Sequence, residues 1–243
     1  MSERHGDYGY DAPYALALLT ALGVGGVVAS VVASGLRDRA ATPLALAGAF
    51  YLANAFSFFY TTRRGKFQVW EEILGSLHLH GDERVLDMGC GRGAVLTAVA
   101  GRLRTGRATG LDLWSTHDQS GNSSVTTLRN ASLENVRERL SVATGDMRAM
   151  PFADSTFDIV VSSLAIHNIR SHAARALAIG DAWRVLKPGG RLAIADIRVT
   201  ARYAAALKGL GATDVKRRRL GWRFWYGNPF AATTLVTATK PAH

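Results

Sequence analysis

A glycine-rich loop and the acids around it are the residues whose types and spacing indicate chemistry in this chain. The stretch VLDMGCGRGAV, from Val85 to Val95, contains Gly89-x-Gly91-x-x-Ala94, and Asp112 follows about twenty residues later. This spacing satisfies the loose fingerprint of a dinucleotide-binding loop, in which the acid binds a ribose. No Gly-Lys-Ser/Thr sequence follows these glycines, which excludes a P-loop. The fingerprint alone leaves open which nucleotide the loop binds.

Two further acids narrow the choice of nucleotide. Asp87 precedes the glycines at the end of a predicted strand, where its charge would repel a pyrophosphate but would hold an amino-acid ammonium group or its bound water. Asp146, in the run TGDM, can accept a hydrogen bond from an adenine amino group. Both positions disfavour a nicotinamide dinucleotide.

The elements that must position these residues are short apolar runs alternating with helix-like stretches. The runs are RVLDMG, ATGLDLW, LSVATGDM, FDIVVSSL and GRLAIADI, separated by AVLTAVAGRL, VTTLRNASLENV and HAARALAIGDAWRVL. This alternation predicts a mostly parallel sheet with helices on both faces, which binds its ligand beyond the carboxyl ends of the strands. The tail adds a helix, ARYAAALKGL, and two runs predicted to pair as final strands, DVKRRRLGWRFWYG and TTLVTATK.

The glycine loop, Asp112 and TGDM are followed along the chain by FDIVVSSLAIHNI and RVLKPGGRLAIADI. With this order of motifs, the sequence from about Lys66 to Lys240 resembles the class I S-adenosylmethionine-dependent methyltransferases. The resemblance implies an α/β, Rossmann-like, doubly wound fold with a mostly parallel seven-stranded sheet. It also implies S-adenosyl-L-methionine as the cofactor and no metal ion.

The resemblance assigns cofactor contacts residue by residue. Asp112 would bind both ribose hydroxyls, and Leu113 and Trp114 would flank the adenine. Asp146 and the amide of Met147 would bind the adenine edge. The remaining residues assigned to the cofactor, in the glycine loop and toward its methionine end, are Asp87, Gly89, Cys90, Gly91, Gly93, Ser162 and Ser163.

Methyl transfer from a sulfonium is an in-line displacement, in which the protein aligns the acceptor and excludes water. An acceptor with a high pKa also needs a base, and His167, just past the fourth predicted strand, is the catalytic candidate. A thiolate or amine acceptor needs no base, and His167 would then only line the pocket. The polar insertion STHDQSGNSS, Ser115 to Ser124, is expected to fold over the cofactor or to form a surface loop. Residues predicted to line the acceptor pocket are His117, Asn168, Trp222, Trp225 and Tyr226.

Two uncharged segments, residues 12–36 and 40–62, precede this domain and are long enough to span a bilayer. Only Arg37-Asp38-Arg39 separates them, which predicts a transmembrane helical hairpin over residues 1–62 and a methyltransferase domain over 63–243. Stripes of small residues at every fourth position, Ala17 to Ala33 and Ala45 to Ser57, predict close helix packing or a homodimer. The basic run Arg63 to Lys66 then places the catalytic domain on the cytoplasmic side of a bacterial-type inner membrane. The alternative is a pair of buried helices in a soluble protein.

The chain has a formal net charge of +10, and the excess positive charge lies in the predicted methyltransferase domain. Residues 1–62 hold three arginines against four acids and therefore contribute none of it. A basic domain beside apolar helices favours anionic lipid headgroups as a partner, with nucleic acid as the rival. Asn228-Pro229-Phe230 resembles the motif of amino-methylating nucleic-acid enzymes but does not follow the fourth strand, so nucleic acid is not the expected partner. We therefore expect a membrane-anchored methyltransferase acting on a small lipophilic acceptor: a quinol or phenol, an aminolipid, or a thiol. The alternatives are a nucleic-acid methyltransferase and a non-catalytic cofactor-binding membrane scaffold.

Overall fold

A computed structural model describes residues 4–116 and 119–242 of the 243-residue chain. In this part of the chain one sheet has the strand order β3-β2-β1-β4-β5-β7-β6. The strands from β3 to β5 pair in parallel, and β7 pairs antiparallel with both β5 and β6. The expected Rossmann-like, mostly parallel sheet is confirmed. The strands are β1 (Arg84–Met88), β2 (Arg107–Asp112), β3 (Leu140–Thr144), β4 (Phe157–Ser163), β5 (Leu186–Ile197), β6 (Thr213–Arg219) and β7 (Thr233–Thr239).

Helices cover both faces of the sheet because neighbouring strand residues point to opposite sides. In β1, Val85 packs in one core with residues of α3, α4 and α5, whereas Leu86 packs in a second core with residues of α6 and α7. The strand order reverses at β1, which lies between β2 and β4, and this leaves a crevice at the carboxyl ends of those strands. The helices are α1 (Pro13–Gly35), α2 (Ala41–Tyr60), α3 (Lys66–Ser76), α4 (Ala94–Ala100), α5 (Ser124–Leu133), α6 (His172–Val185) and α7 (Thr200–Gly209).

Helices α1 and α2 pack as the expected hairpin, but mostly not through the predicted stripes, of whose members Ala33 alone is buried. A Cβ on Gly26 would lie 2.9 Å from the Cα of Gly48, so glycine permits the close approach of the two backbones. Gly25, a member of the predicted stripe, faces open space, and Ala45, Ala49 and Ala53 are exposed. With 3.6 residues per turn, a strict spacing of four rotates around the helix. The residues of α1 that face α2 instead follow alternating steps of three and four: Gly23, Gly26, Ser30 and Ala33.

Both hairpin helices are long and apolar enough to cross a membrane by length and composition. In α1, only 6% of the most apolar window is buried, so most of its apolar surface lies outside any protein core. A π-helical turn, Thr61–Gly65, joins α2 directly to α3, giving one continuous helical run over Ala41–Ser76. This run crosses the predicted domain boundary at residue 62, and α3 buries Val69, Trp70 and Ile73 in the core of the α/β domain.

The aromatic segment after β6 is a loop rather than the predicted strand. Strand β6 ends at Arg219, and the next strand begins at Thr233. The loop docks on the hairpin: Trp222 stacks on Tyr60 with ring centroids 5.1 Å apart, and Asn228 Nδ2 donates to Asn54 Oδ1 at 2.8 Å. The tail of the α/β domain and the end of α2 therefore form one packed unit.

Candidate active site

The turn after β1 exposes backbone to the crevice because its glycines have conformations that other residues avoid. Gly89 has a φ of +77°, and a Cβ there would lie 2.2 Å from the Cβ of Ala165. The amides of Gly89 and Cys90 donate to the carbonyl oxygen of Leu111 at 2.8 and 3.1 Å, which ties the loop to β2. The loop is therefore held open toward the crevice.

A cavity of about 670 Å³ lies at this crevice, within the usual size range of small-molecule sites. It runs from the glycine loop to the end of the hairpin. Predicted cofactor residues that line it are Asp87, Gly89, Cys90, Gly91, Asp112, Leu113, Asp146, Met147 and Ser163. Predicted acceptor-side residues that line it are His167, Asn168 and Tyr226.

Asp87 is 2% exposed, and neither oxygen of its carboxyl group has a hydrogen-bond partner among the described residues. Burial, reinforced by the nearby charge of Asp112, raises the pKa of Asp87 to about 8. An unsatisfied buried carboxyl group facing a cavity is a fitting partner for an ammonium group of a ligand. The methionine end of S-adenosylmethionine carries such a group, so the residue fits the implied cofactor.

Asp112 at the end of β2 is already engaged by three donors. The amide of Gly91 donates to Oδ2 at 2.8 Å, while the amide of Trp114 and Asn122 Nδ2 donate to Oδ1 at 2.7 and 3.2 Å. A carboxylate accepts about four hydrogen bonds, so Asp112 has room for one further donor rather than the two expected ribose hydroxyls. Asn122 supplies a second acceptor, because its Oδ1 is buried in the cavity wall without a partner in the described chain. The Asp112–Asn122 pair therefore fits a ribose better than Asp112 alone.

The loop after β3 places Asp146 in the cavity wall, but its carboxylate is paired. Arg148 Nε donates to Asp146 Oδ1 and Oδ2 at 3.0 and 2.9 Å, and this pairing lowers the pKa of the Asp146 carboxyl. An adenine amino group would have to share the carboxylate with Arg148. Met147 projects toward the glycine loop, since a Cβ on Gly89 would lie 3.2 Å from its Cε.

His167 is held by a buried carboxylate at the end of β5. Its Nδ1 lies 2.6 Å from Asp196 Oδ1, and its backbone amide donates to Asp196 Oδ2 at 3.0 Å. Asp196 is fully buried and also accepts from the Ile197 amide at 2.8 Å and the Tyr203 hydroxyl at 3.2 Å. Because Asp196 faces Nδ1, the neutral imidazole carries its proton there and presents Nε2 as the free acceptor. This arrangement suits a general base.

The opposite wall of the cavity comes from the segments that flank the hairpin. Lys66 Nζ donates to Asp11 Oδ2 at 2.7 Å, and the Tyr226 hydroxyl donates to the same oxygen at 2.8 Å. Phe58, in the last turn of α2, lines the cavity beside them. Trp70 completes this wall, and its Nε1 donates to Ser163 Oγ at 2.9 Å. The hairpin thus contributes directly to the site.

Gln119, from the polar insertion after β2, contacts the glycine loop. Gln119 Oε1 accepts from the amide of Arg92 at 2.9 Å, and a Cβ on Gly91 would lie 2.5 Å from that same oxygen. Gln119 also pairs with Asp11 in an isolated antiparallel bridge. The insertion and the segment before α1 together cover one side of the cavity.

Two residues assigned to the cofactor lie outside the cavity wall for reasons of packing. Gly93 begins α4 with a φ of +86°, and a Cβ there would lie 2.9 Å from Thr127 of α5. Ser162 is fully buried and donates to the carbonyl oxygen of Met88 at 2.7 Å. In this structure both residues pack against the chain next to the cavity. His117 lies outside the described residues, and among residues 4–116 and 119–242 no group of three or more candidate ligands could hold a metal ion.

Three predicted tryptophans are also not part of the cavity wall. Trp114, just after β2, is partly buried against the core, and its Nε1 donates to Thr144 Oγ1 at 2.7 Å. Trp222 stacks on Tyr60, and Trp225 forms an isolated bridge in the aromatic loop. Of the aromatic loop residues predicted for the acceptor pocket, Tyr226 reaches it.

Sequence reasoning missed the aromatic wall of Phe58, Phe67 and Trp70, and it missed polar residues that the structure brings to the site: Asp11, Lys66, Gln119, Asn122 and Asp196. The last three had a usable signal. Gln119 and Asn122 lie in the polar insertion, and Asp196 ends a predicted strand at the edge where ligands bind. No sequence signal relates Asp11 to Lys66, because the whole hairpin separates them.

Comparisons with known proteins agree with this geometry. Residues 86–194 match the family model described as a methyltransferase domain. A ubiquinone/menaquinone biosynthesis C-methyltransferase of Ruegeria sp. is 32% identical over 133 residues, which cover 54% of this chain and 50% of that protein. A sterol 4-C-methyltransferase of Caenorhabditis elegans is 30% identical over 144 residues, which cover 56% of this chain and 40% of that protein. The chain thus spans about half the length, or less, of these curated relatives.

A solved structure extends the likeness to most of the fold. An S-adenosylmethionine-dependent methyltransferase from Aquifex aeolicus superposes with a TM-score of 0.55 at 18% identity, covering 70% of this chain and 88% of that one. The strand order, the glycine loop, the acids at the strand ends and the matching family model point the same way. The α/β domain of this chain therefore contains a methyltransferase domain with the fold of the class I S-adenosylmethionine-dependent enzymes, and its cofactor is S-adenosylmethionine.

Proposed function

We propose that this protein transfers a methyl group from S-adenosylmethionine to a small lipophilic acceptor at a membrane surface. One observation carries the proposal: the same cavity is lined by the cofactor loop and by Phe58 at the end of an apolar helix. An acceptor that partitions into a bilayer would meet this wall first. Tethering the site there raises the effective concentration of such an acceptor.

When bound, S-adenosylmethionine supplies an electrophilic methyl group on a sulfonium. Asp87 would hold the ammonium group at the methionine end, and the Asp112–Asn122 pair would hold the ribose. The lack of side chains at Gly89 and Gly91 lets Ala165 and Gln119 pack closely on the loop, whose backbone would then line the cofactor's part of the cavity. The covering segments then exclude water from the cavity.

His167 acts as the general base in this proposal. Its Nε2 would take the proton from an acceptor hydroxyl, while Asp196 stabilises the imidazolium that forms. The acceptor would lie between His167 and the aromatic wall made by Phe58, Phe67 and Trp70. These residues offer a flat apolar surface for a ring or an alkyl tail.

The relatives favour the same class of acceptor. The protein from Ruegeria acts in ubiquinone and menaquinone biosynthesis, and the protein from Caenorhabditis elegans acts on sterols. Both acceptors are largely apolar. We extend that class, rather than either compound, to this chain.

The membrane placement is part of the proposal. Helices α1 and α2 would cross the bilayer with Arg63 and Arg64 at its cytoplasmic face, where they would meet anionic headgroups. Alkaline carbonate extraction of membranes tests it. We expect the protein to stay in the membrane pellet, and release into the supernatant would remove the bilayer from the proposal.

The decisive experiment uses the full chain purified in detergent. Calorimetric binding is measured with S-adenosylmethionine and S-adenosylhomocysteine, with NAD and NADP as controls, followed by labelled-methyl transfer into extracted membrane lipids and quinones. We expect binding of the first two compounds alone and label in the apolar extract. Cofactor binding without transfer to any extract would favour a non-catalytic scaffold, and label in nucleic acid would overturn the choice of acceptor.

A further inference from the structure

Three residues from distant parts of the chain meet at the hairpin side of the cavity. Asp11 precedes α1, Lys66 begins α3, and Tyr226 belongs to the aromatic loop. Asp11 Oδ2 accepts from both Lys66 Nζ and the Tyr226 hydroxyl, at 2.7 and 2.8 Å. We call these three residues the Lys66 cluster.

The ammonium group of Lys66 is unusual because it is buried without a full set of acceptors. The residue is 5% exposed, and an ammonium group has three N–H donors. In residues 4–116 and 119–242, its oxygen acceptor is Asp11, and the Phe67 ring lies 5.4 Å from Nζ. Burying a charge in this way is costly unless its remaining donors are also satisfied. Because Lys66 lines the cavity, a ligand atom can satisfy them.

The chemistry of the cluster selects the ligand atom. Lysine donates hydrogen bonds and cannot accept them, so its partner is an acceptor oxygen, and an anionic oxygen gains most. The Tyr226 hydroxyl is held by Asp11, and burial together with the Asp11 charge raises the pKa of Tyr226 well above its usual value. Tyr226 therefore stays a neutral donor that fixes Asp11 in place. An ammonium headgroup would face Lys66 as a like charge, which disfavours an aminolipid acceptor.

The Lys66 cluster and the proposed base, His167, line the same cavity. Lys66 and Tyr226 lie in the same cavity as His167, with the rings of Phe67 and Trp70 in the wall between the hairpin segments and the sheet. A ring bearing an oxygen can contact the aromatic wall while its oxygen lies at the Lys66 cluster. We infer that Lys66, positioned by Asp11 and Tyr226, binds the oxygen of a phenol- or quinol-type acceptor. This inference rests on the proposed function and chooses among its acceptors.

The test uses two probes that differ in one oxygen-bearing group: 4-octylphenol and 4-octyltoluene, in which a methyl group replaces the hydroxyl and leaves no acceptor. Their binding to detergent-purified protein saturated with S-adenosylhomocysteine is measured by calorimetry. A hydrogen bond to a charged group corresponds to roughly a tenfold or larger effect, so we expect the wild type to bind the phenol about tenfold more tightly than the toluene analogue. Lys66→Met should remove that preference. Tyr226→Phe should keep the ring and weaken the preference, because Asp11 Oδ2 then keeps Lys66 as its one remaining donor among the described residues.

Lys208→Met is the matched control, because Lys208 is an exposed lysine in α7 away from the cavity. It should bind both probes as the wild type does. Equal binding of the two probes by the wild type would overturn the inference. A tenfold loss of S-adenosylhomocysteine affinity in a folded Lys66→Met protein would also overturn it, since Lys66 would then bind the cofactor's carboxylate. If Lys66→Met fails to fold, Tyr226→Phe decides: an unchanged phenol preference rejects the cluster. None of these measurements needs turnover, so failure of methyl transfer remains a separate result.

Discussion

Replacing Asp196 by asparagine should separate the orientation of His167 from every other property of the site. Asp196 Oδ1 accepts from His167 Nδ1 and the Ile197 amide, and Oδ2 accepts from the His167 amide and the Tyr203 hydroxyl. An asparagine has one oxygen and one NH2 group, so its NH2 must face two donors in either orientation. Tyr203 can rotate its hydroxyl and His167 can change tautomer, but a backbone amide can do neither.

The expected loss of stability follows from this count of hydrogen-bond donors. Either orientation of the asparagine side chain leaves one buried backbone N–H without its acceptor, which costs about 1–3 kcal/mol of folding free energy. This cost falls on the stability of the fold. The loss of the carboxylate charge, or of the correct tautomer, falls on catalysis instead. General-base catalysis contributes about 10²–10⁴ to a rate, so we expect kcat to fall by about a hundredfold or more. Cofactor affinity should change by less than about threefold, because Asp196 does not line the cavity.

The assay is the initial rate of labelled-methyl transfer at saturating cofactor and acceptor, measured across pH for the wild type, Asp196→Asn, His167→Ala and the double variant. Since Asp196 acts through His167, the double variant should be no slower than His167→Ala alone. Additive losses, or an Asp196→Asn rate within about threefold of the wild type while His167→Ala is inactive, would refute the reasoning.

Three further predictions concern the cofactor loop, the ribose pair and the membrane face. Because the pKa of Asp87 is raised to about 8, this carboxyl group is mostly protonated at pH 7, and pairing with an ammonium group should ionise it. Cofactor binding at pH 7 should therefore release close to one proton, and the affinity for the cofactor should rise with pH toward 8. Calorimetry in buffers of different ionisation enthalpy measures this proton release. The release should vanish in the Asp87→Asn variant. Asn122→Ala should weaken S-adenosylhomocysteine binding about tenfold, since one buried hydrogen bond is lost, and an unchanged Kd would remove Asn122 from the ribose site. Phe230 is 97% exposed in the loop that docks on α2, so an environment-sensitive thiol probe on Phe230→Cys should show a blue-shifted emission in lipid vesicles, whereas the same probe on Lys208→Cys should not. The native Cys90 should not compete for the label, because burial raises the pKa of its thiol well above the usual value.

The parts of the structure that sequence reasoning predicted are those with a strong local pattern. Alternating apolar runs located strands β1 to β5, and the carboxyl-end rule placed Asp87, Asp112 and His167 around one crevice. The tail was harder, because the aromatic run after Arg219 has the composition of a strand but packs as a loop against the hairpin. There, contacts with α2 outweigh the local preference for extended structure.

The parts that were missed depend on contacts between distant segments. No local sequence pattern shows that Asp11 and Lys66 meet, because they lie 55 positions apart in the chain. The hairpin between them brings them together. The small-residue stripes failed for a related reason: composition identified close packing, but the three-and-four spacing at Gly23 and Gly26 decides which face meets the partner helix. A sequence also does not show how many hydrogen bonds a side chain already accepts. Asp112 is an example, because three donors in the protein are already bound to its carboxylate.

The helical run continues without a break through the π-helical turn at Thr61–Gly65. In the proposed enzyme, this run determines how far the cavity lies from the membrane. A flexible linker would let a domain sample a volume around its anchor, whereas a continuous helix fixes the height and tilt of the crevice above the lipid. Phe58 lies both in the last turn of α2 and in the cavity wall, so on the proposed membrane placement the crevice would open close to the lipid surface. A lipophilic acceptor would then need to raise only its head group out of the membrane, leaving its tail in place. The length of that tail would govern how well the acceptor dissolves in the bilayer, but not how well it fits the site.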